Sequence, residues 1–217
     1  VRGDVCEAEQ IFGALPEGCD YVVHFAAESH VDRSILSAAE FVRTNVLGTQ
    51  VMLDVARARK AKRFLHISTD EVGGDTGAPH EFREGDPLLP SSPYAASKTA
   101  AEHMVNAAAH TFGMDAIVTR TSNNYGPYQF PEKLLPLAIS KIAAGKPVPV
   151  YGDGLQVRDW IHVADNCAAL RLVLKEGRAG ETYHIGGDNP LPNLDVLRML
   201  LKILGKPESL LTHVADR

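Results

Sequence analysis

Cysteine is scarce in this chain of 217 residues. Cys6, Cys19 and Cys167 are odd in number and have no metal-ligand spacing. That excludes a disulfide framework and a cysteine-based metal centre, and the three read as reduced thiols of a cytoplasmic protein. Long apolar runs are missing as well: no stretch approaches the roughly 18–20 residues that cross a bilayer, and no signal-peptide pattern follows Val1. Excess positive charge is also absent. With 22 basic and 27 acidic residues the formal charge is −5, which argues against a nucleic-acid footprint. Low-complexity tracts and internal repeats are not found.

What the chain has is alternation. Short apolar runs at Tyr21–Phe25, Arg63–Ile67, Ala116–Arg120, Val148–Tyr151 and Thr182–Ile185 predict strands. Longer stretches at Glu7–Leu15, Ala38–Arg59, Pro93–Phe112, Pro131–Ala144, Val163–Lys175 and Leu194–Leu204 predict helices. Such alternation predicts an α/β fold with a doubly wound parallel sheet. Gly126–Pro131 reads as the passage from a sheet domain, residues 1–128, to a smaller C-terminal part, residues 129–217, some of whose segments return to the sheet. In open parallel sheets ligands bind beyond the carboxyl ends of the strands. Three polar exits occupy such places: Ala26–His30, Ser68–Glu71 and Ser122–Tyr125.

Two of these features carry chemistry. Thr69, Asp70 and Glu71 follow an apolar strand, where two adjacent acids are poor packing material. For both acids to share a face the strand has to stop at Thr69, with Gly73-Gly74 supplying the turn. Tyr94-Ala-Ala-Ser-Lys98 places a phenol and an ammonium at i and i+4 on one helical face. A nearby ammonium favours phenolate, so the expected tyrosine is a base with a lowered pKa.

With Phe25-Ala-Ala-Glu-Ser-His-Val-Asp-Arg-Ser34, Thr44–Thr49, Ser68–Val72, Tyr94–Lys98, Arg120–Tyr128, Phe130–Leu134 and Arg158-Asp-Trp160, the chain resembles the extended short-chain dehydrogenase/reductases. Within them it is most similar to the dTDP-glucose 4,6-dehydratases. The resemblance implies a Rossmann-like fold, NAD as cofactor, a nucleotide-sugar substrate and a homodimer built on the helices at Ala38–Arg59 and Pro93–Phe112. It implies Tyr94 as the C4 base tuned by Lys98, Thr69 on the C4 hydroxyl, Glu71 as the C5 base and Asp70 as the C6 acid. Asp4, Val5, Phe25, Ala26, Ala27, Ser29, Thr44 and Asn124, with Tyr94 and Lys98, match the cofactor side. Ser29, Thr69, Asn123, Glu132, Lys133, Val148, Val150, Arg158, Asn193 and Arg217 match the substrate side.

There are two departures. No Gly-rich phosphate-binding turn precedes Asp4, and the chain stops inside a motif that opens with Asp216-Arg217. The expectation is therefore a piece of a longer enzyme, truncated at both ends and without the sheet's first strands. Gly73 stands where the family usually carries tyrosine, which predicts a looser wall beside the acids. Two other readings compete: a sugar-nucleotide 4-epimerase, which uses the Tyr–Lys pair but does not need adjacent acids, and an inactive remnant that at most binds nucleotide sugar.

Overall fold

The computed structural model describes residues 1–74 and 81–215. The strands, in chain order, are β1 (Tyr21–His24), β2 (Arg63–Thr69), β3 (Ala116–Thr121), β4 (Asn123–Tyr125), β5 (Val148–Tyr151), β6 (Val157–His162), β7 (Thr182–Ile185), β8 (Pro190–Pro192) and β9 (Leu211–Val214). The helices are α1 (Ala8–Ala14), α2 (Val31–Leu36), α3 (Ala38–Phe41), α4 (Gly48–Ala58), α5 (Pro93–Phe112), α6 (Leu134–Ala143), α7 (Val163–Glu176) and α8 (Asn193–Ile203). They form two units. The first combines Val1–Thr121 with Ala169–Ile185; the second runs over Ser122–Ala168 and resumes at Gly186.

The first unit is Rossmann-like, with four parallel strands in the order β1-β2-β3-β7. Every residue of β3 is buried, as expected of a parallel strand covered on both faces. On one face Val22, Phe64 and Val118 of the strands pack with Leu53 and Ala56 of α4 and with Val105 and Ala108 of α5. On the two helices that the resemblance gives to a dimer, Ala56, Ala101 and Ala108 are buried within their own unit, while Leu47 is half exposed.

α5 follows its sequence signals closely. Ser92 caps it by accepting from the Ala95 N–H at 3.1 Å, Pro93 occupies its first turn, and Gly113 at φ 64° ends it. The helix expected over 38–59 is not continuous. It divides into α3, a π-turn at Val42–Leu47 and α4.

The second unit holds β4-β6-β8, in which β6 pairs parallel with β4 and antiparallel with β8, and the parallel pair β5-β9. Its core is aliphatic: Ala138, Ile142, Val148, Val150, Leu197 and Leu201.

Candidate functional site

β2 ends at Thr69, as the paired glycines predict, and a 3₁₀ turn spans Asp70–Gly73. The Thr69 hydroxyl organises this turn by accepting from the Glu71 N–H at 3.3 Å and donating to Asp70 Oδ1 at 3.2 Å. Val72 is fully buried and anchors the turn between the two acids and the glycines. Gly74, at φ 82°, lies so close to the Leu89 carbonyl that no Cβ fits there. The expected looseness at Gly73 is corrected by the structure. The Phe82 ring fills that space, and a Cβ on residue 73 would meet ring carbons at 2.7–3.0 Å.

Tyr94 stands on the first turn of α5, its ring edge-on to Phe41 at 6.3 Å. Its pKa is raised, not lowered as the Tyr–Lys spacing predicted. Burial is the main cause and the Glu71 carboxylate adds to it, while a hydrogen bond with Thr69 opposes them. Lys98 fails to reverse the sign because its ammonium is committed to the strand. Nζ donates to the Ile67 carbonyl at 2.7 Å and lies 3.5 Å from His66 Nε2. Burial brings the Lys98 pKa down to about 8, against the pull of Glu102.

Behind Lys98 lies a pair of buried histidines whose ring centroids are 5.4 Å apart. Burial first, and the Lys98 charge second, hold His24 down to about 4 and His66 well below the usual imidazole range. Both rings are therefore neutral. Thr49 donates its hydroxyl proton to the Asn45 carbonyl at 2.6 Å, so it accepts from His24 Nε2 at 3.0 Å. His24 thus carries its proton on Nε2.

Asn45, inside the π-turn, joins the β1 exit to the tyrosine helix. Its side chain exchanges hydrogen bonds with the Glu28 backbone at 2.8 and 3.0 Å. It also donates to Ser97 Oγ at 2.8 Å, and that hydroxyl donates to the Tyr94 carbonyl at 2.7 Å. Asn45, next to Thr44 on the π-turn, thereby ties Glu28, in the β1 exit that also holds Phe25, Ala26, Ala27 and Ser29, to the Tyr94 backbone on α5. Asp4 accepts from the Cys6 N–H at 2.9 Å and from Arg43 at 2.9 Å, contacts that lower its pKa. Val5 packs against Gly48. His24, Asn45, His66 and Ser97 were assigned no role from sequence. Polar residues at positions of the helical and strand patterns that ought to be apolar were the available signal.

The remaining expected residues lie in the second unit. Asn123 and Asn124 sit on β4 opposite Trp160 and Ile161. Asn124 Oδ1 is buried without a hydrogen-bond partner, as is Asn193 Oδ1 at the start of α8. Glu132 and Lys133 lie just before α6. Arg158 is exposed on β6 and donates to its neighbour's carbonyl, Val157 O, at 2.9 Å. Asp159 accepts from the amides of Gly187 and Asn189 at 2.7 and 2.8 Å. Val148 and Val150 are corrected. The alternation of β5 turns both inward, at 1% and 2% exposure, so their side chains belong to the core rather than to a ligand surface. Arg217, with Asp216, lies outside the described residues.

The model of the NAD dependent epimerase/dehydratase family matches residues 1–186. A dTDP-glucose 4,6-dehydratase of Actinoplanes sp. is 52% identical over 219 residues, which cover 100% of this chain and 67% of the relative. The crystal structure of the DesIV dTDP-glucose 4,6-dehydratase from Streptomyces venezuelae, solved with NAD bound, matches with a TM-score of 0.97 at 48% identity, over 100% of this chain and 67% of that one. UDP-glucose 4-epimerase from Thermotoga maritima matches with a TM-score of 0.92 at 27% identity, over 100% of this chain and 71% of that one. The chain spans about two thirds of the length of the curated relatives it matches. On a match of that extent, the chain belongs to the NAD dependent epimerase/dehydratase family.

Proposed function

We propose that these residues belong to an NAD-dependent lyase that converts dTDP-glucose to its 4-keto-6-deoxy sugar. The observation that carries the reading is the Thr69-capped turn, which sets two carboxylates beside a buried phenol. Oxidation at C4 needs a base and a hydroxyl partner. Loss of water across C5 and C6 needs a further base and a further acid, and Glu71 and Asp70 supply them. The relatives at about half identity point the same way, and an epimerase has no use for the second and third groups.

The chain's residues fit the cofactor. An exposed Phe25, a half-buried Thr44 on the π-turn and a buried ammonium at Lys98 gather at the carboxyl ends of β1 and β2. Phe25, Ala26, Ala27, Ser29, Thr44, Tyr94 and Lys98 would hold it, with Asp4 and Val5 toward the adenine and Asn124 toward the nicotinamide. When bound, NAD accepts the hydride from C4 and gives it back at C6. The positive charge of its nicotinamide, held by these residues, would offset the Glu71 carboxylate, which adds to burial in keeping the phenol protonated.

Tyr94 then takes the C4 hydroxyl proton while Thr69 orients that hydroxyl. Glu71 removes the C5 proton and later returns it. Asp70 protonates the departing C6 hydroxyl, so that the C4 hydroxyl proton and the C6 hydroxyl leave in net terms as water. These steps need Glu71 ionised and Asp70 protonated, and repulsion between adjacent carboxylates is the general way in which one of two acids keeps its proton. Ser29, Asn123, Glu132, Lys133, Arg158, Asn193 and Arg217 hold the nucleotide sugar, with Arg158 suited to bidentate phosphate pairing. In this reading all of the acid-base residues and most of the cofactor residues fall in the first unit, and most of the nucleotide-sugar residues in the second. A cytoplasmic homodimer, assembled on the outer sides of α4 and α5, completes the reading. Among the described residues no helix is long and apolar enough to cross a membrane.

Product analysis tests this. Incubation of the whole enzyme to which these residues belong with NAD and dTDP-glucose is expected to give the 4-keto-6-deoxy sugar without accumulation of NADH. A galactose product with no dehydration would replace this reading with the epimerase.

A further inference from the structure

The acid turn is held from outside β2. The segment Phe82–Leu89 runs back along it, and the Leu89 N–H donates to the Val72 carbonyl at 3.1 Å. At the other end of the segment, the Phe82 ring covers Gly73. The segment is gripped in turn by β3 and β7. The His184 N–H donates to Glu84 Oε1 at 3.1 Å, and His184 Nδ1 is 3.2 Å from the Phe82 carbonyl. Arg120 Nη1 donates to the Glu84 carbonyl at 3.2 Å and lies 3.3 Å from His184 Nε2. Arg120 is itself seated on Glu102 by three bonds of 2.8–3.2 Å, with side chains 7% and 0% exposed.

Donor chemistry fixes the imidazole. A carbonyl only accepts, so Nδ1 bears the proton; a guanidinium only donates, so Nε2 is bare. An imidazolium would set a second N–H against Arg120 and break the clasp. A cavity of about 10 Å³ separates these groups from the acid turn, lined by Asp70, Gly73, Phe82, Asp86, Arg120 and His184 among others. It has room for at most about one water. The clasp and the turn therefore behave as one packed body.

We propose that Arg120, seated on Glu102, and His184 are positioning residues for the acid turn: they clasp Phe82–Leu89 so that Phe82 braces Gly73 and fixes Asp70 and Glu71 in place. The consequence for catalysis rests on the dehydratase reading; the clasp itself does not.

The experiment therefore has readouts with and without substrate. In ¹⁵N NMR, His184 is expected as the Nδ1–H tautomer. In amide exchange, Phe82→Ala and His184→Leu are each expected to speed exchange at Gly74 and Leu89 by about tenfold, the factor that one hydrogen bond of ordinary strength represents. Amides of β1–β3 should keep their rates, which separates a released turn from a globally weakened fold. His184→Gln, which can donate to Phe82 O and accept from Arg120, should restore slow exchange. With dTDP-glucose and NAD, Phe82→Ala should slow C5 proton exchange and loss of water while leaving C4 oxidation and KM unchanged. An Nε2–H tautomer, or unchanged exchange at Gly74 and Leu89 in Phe82→Ala, would overturn the clasp. A protein that dehydrates nothing yet shows both signatures overturns the functional reading and leaves the clasp standing.

Discussion

The two units solve the problem of an interior differently. Among the described residues, every polar or charged residue that is buried as a whole, except Asn166, lies in the first unit, His24, Asn45, Thr49, His66, Ser97, Lys98, Glu102 and Arg120 among them; in the second unit single polar atoms such as Asn124 Oδ1 and Asn193 Oδ1 are buried. The second unit has an aliphatic core. Buried polar groups stabilise only when each finds its partner, and a partly satisfied network is worse than none. The first unit accepts that risk because acids, a phenol and an ammonium have to be held at fixed positions. On the proposed reading the second unit has only to stay folded while its surface holds the nucleotide sugar. Mutations should therefore behave differently in the two units.

The largest effect is expected from the acids. Glu71→Gln should lower C5 proton exchange by about 10²–10⁴, the usual worth of a general base, while C4 oxidation survives. Asp70→Asn should instead spare C5 exchange and slow departure of the C6 hydroxyl. Rapid-quench analysis in deuterated solvent separates the two, and C5 exchange at the unmutated rate in Glu71→Gln would remove Glu71 from that role.

Next comes the buried pair. Glu102→Ala leaves Arg120 charged and unpaired in the core, and should cost about 3–5 kcal/mol in urea unfolding. Replacing both partners with leucine should cost far less, or even stabilise. Such a protein would keep its fold and lose the clasp, which sharpens the contrast between stability and positioning.

In the second unit Leu201→Ala should cost about 2–5 kcal/mol by cavity formation alone. Its effect should be independent of pH, because the residues packed together in that cluster are aliphatic.

The smallest effect is a pH signature confined to the first unit. Lys98 has its pKa lowered to about 8 from 10.5, so between those values the unfolded chain binds more protons than the folded one. Stability should therefore rise as pH goes up through this window, and the rise should vanish in Lys98→Met. Above about pH 9 the raised Cys6 pKa, and above about pH 10 the raised Tyr94 pKa, act in the opposite direction, so the clean interval is pH 8–9. At the acid end His24, held near 4, makes stability fall as pH drops from 6.5 toward 4. Urea midpoints across pH measure both, and a flat profile from pH 8 to 9 would show that Lys98 is not buried as described.

The strands of the parallel sheet were legible because burial on both faces writes itself as apolar runs, and α5 was legible because Ser92, Pro93 and Gly113 mark its ends. The acid turn could be read from Gly73-Gly74. Other features depended on partners remote in sequence. β4, β8 and β9 are three or four residues long and exist only through pairing. The sign of the Tyr94 shift depends on how deeply the phenol is buried and on which atom Lys98 chooses, and the i, i+4 spacing reports neither. Val148 and Val150 were misplaced because a resemblance carries positions but not the direction of a side chain. His184 was given no role, since its three partners, Phe82, Glu84 and Arg120, are 64 or more residues away.

The π-turn at Val42–Leu47 has a consequence for redesign. Each i→i+5 closure stores one residue more than an α-turn, so α3 and α4 are out of phase with each other along what looks like one helix. A designer who regularises the segment by deleting one residue would gain better hydrogen-bond geometry. The same deletion would rotate Asn45 away from Glu28 and Ser97, and uncouple the β1 exit from the tyrosine helix. The irregular turn works as a phase shifter, letting one stretch of chain serve a packing period on one side and a bonding period on the other.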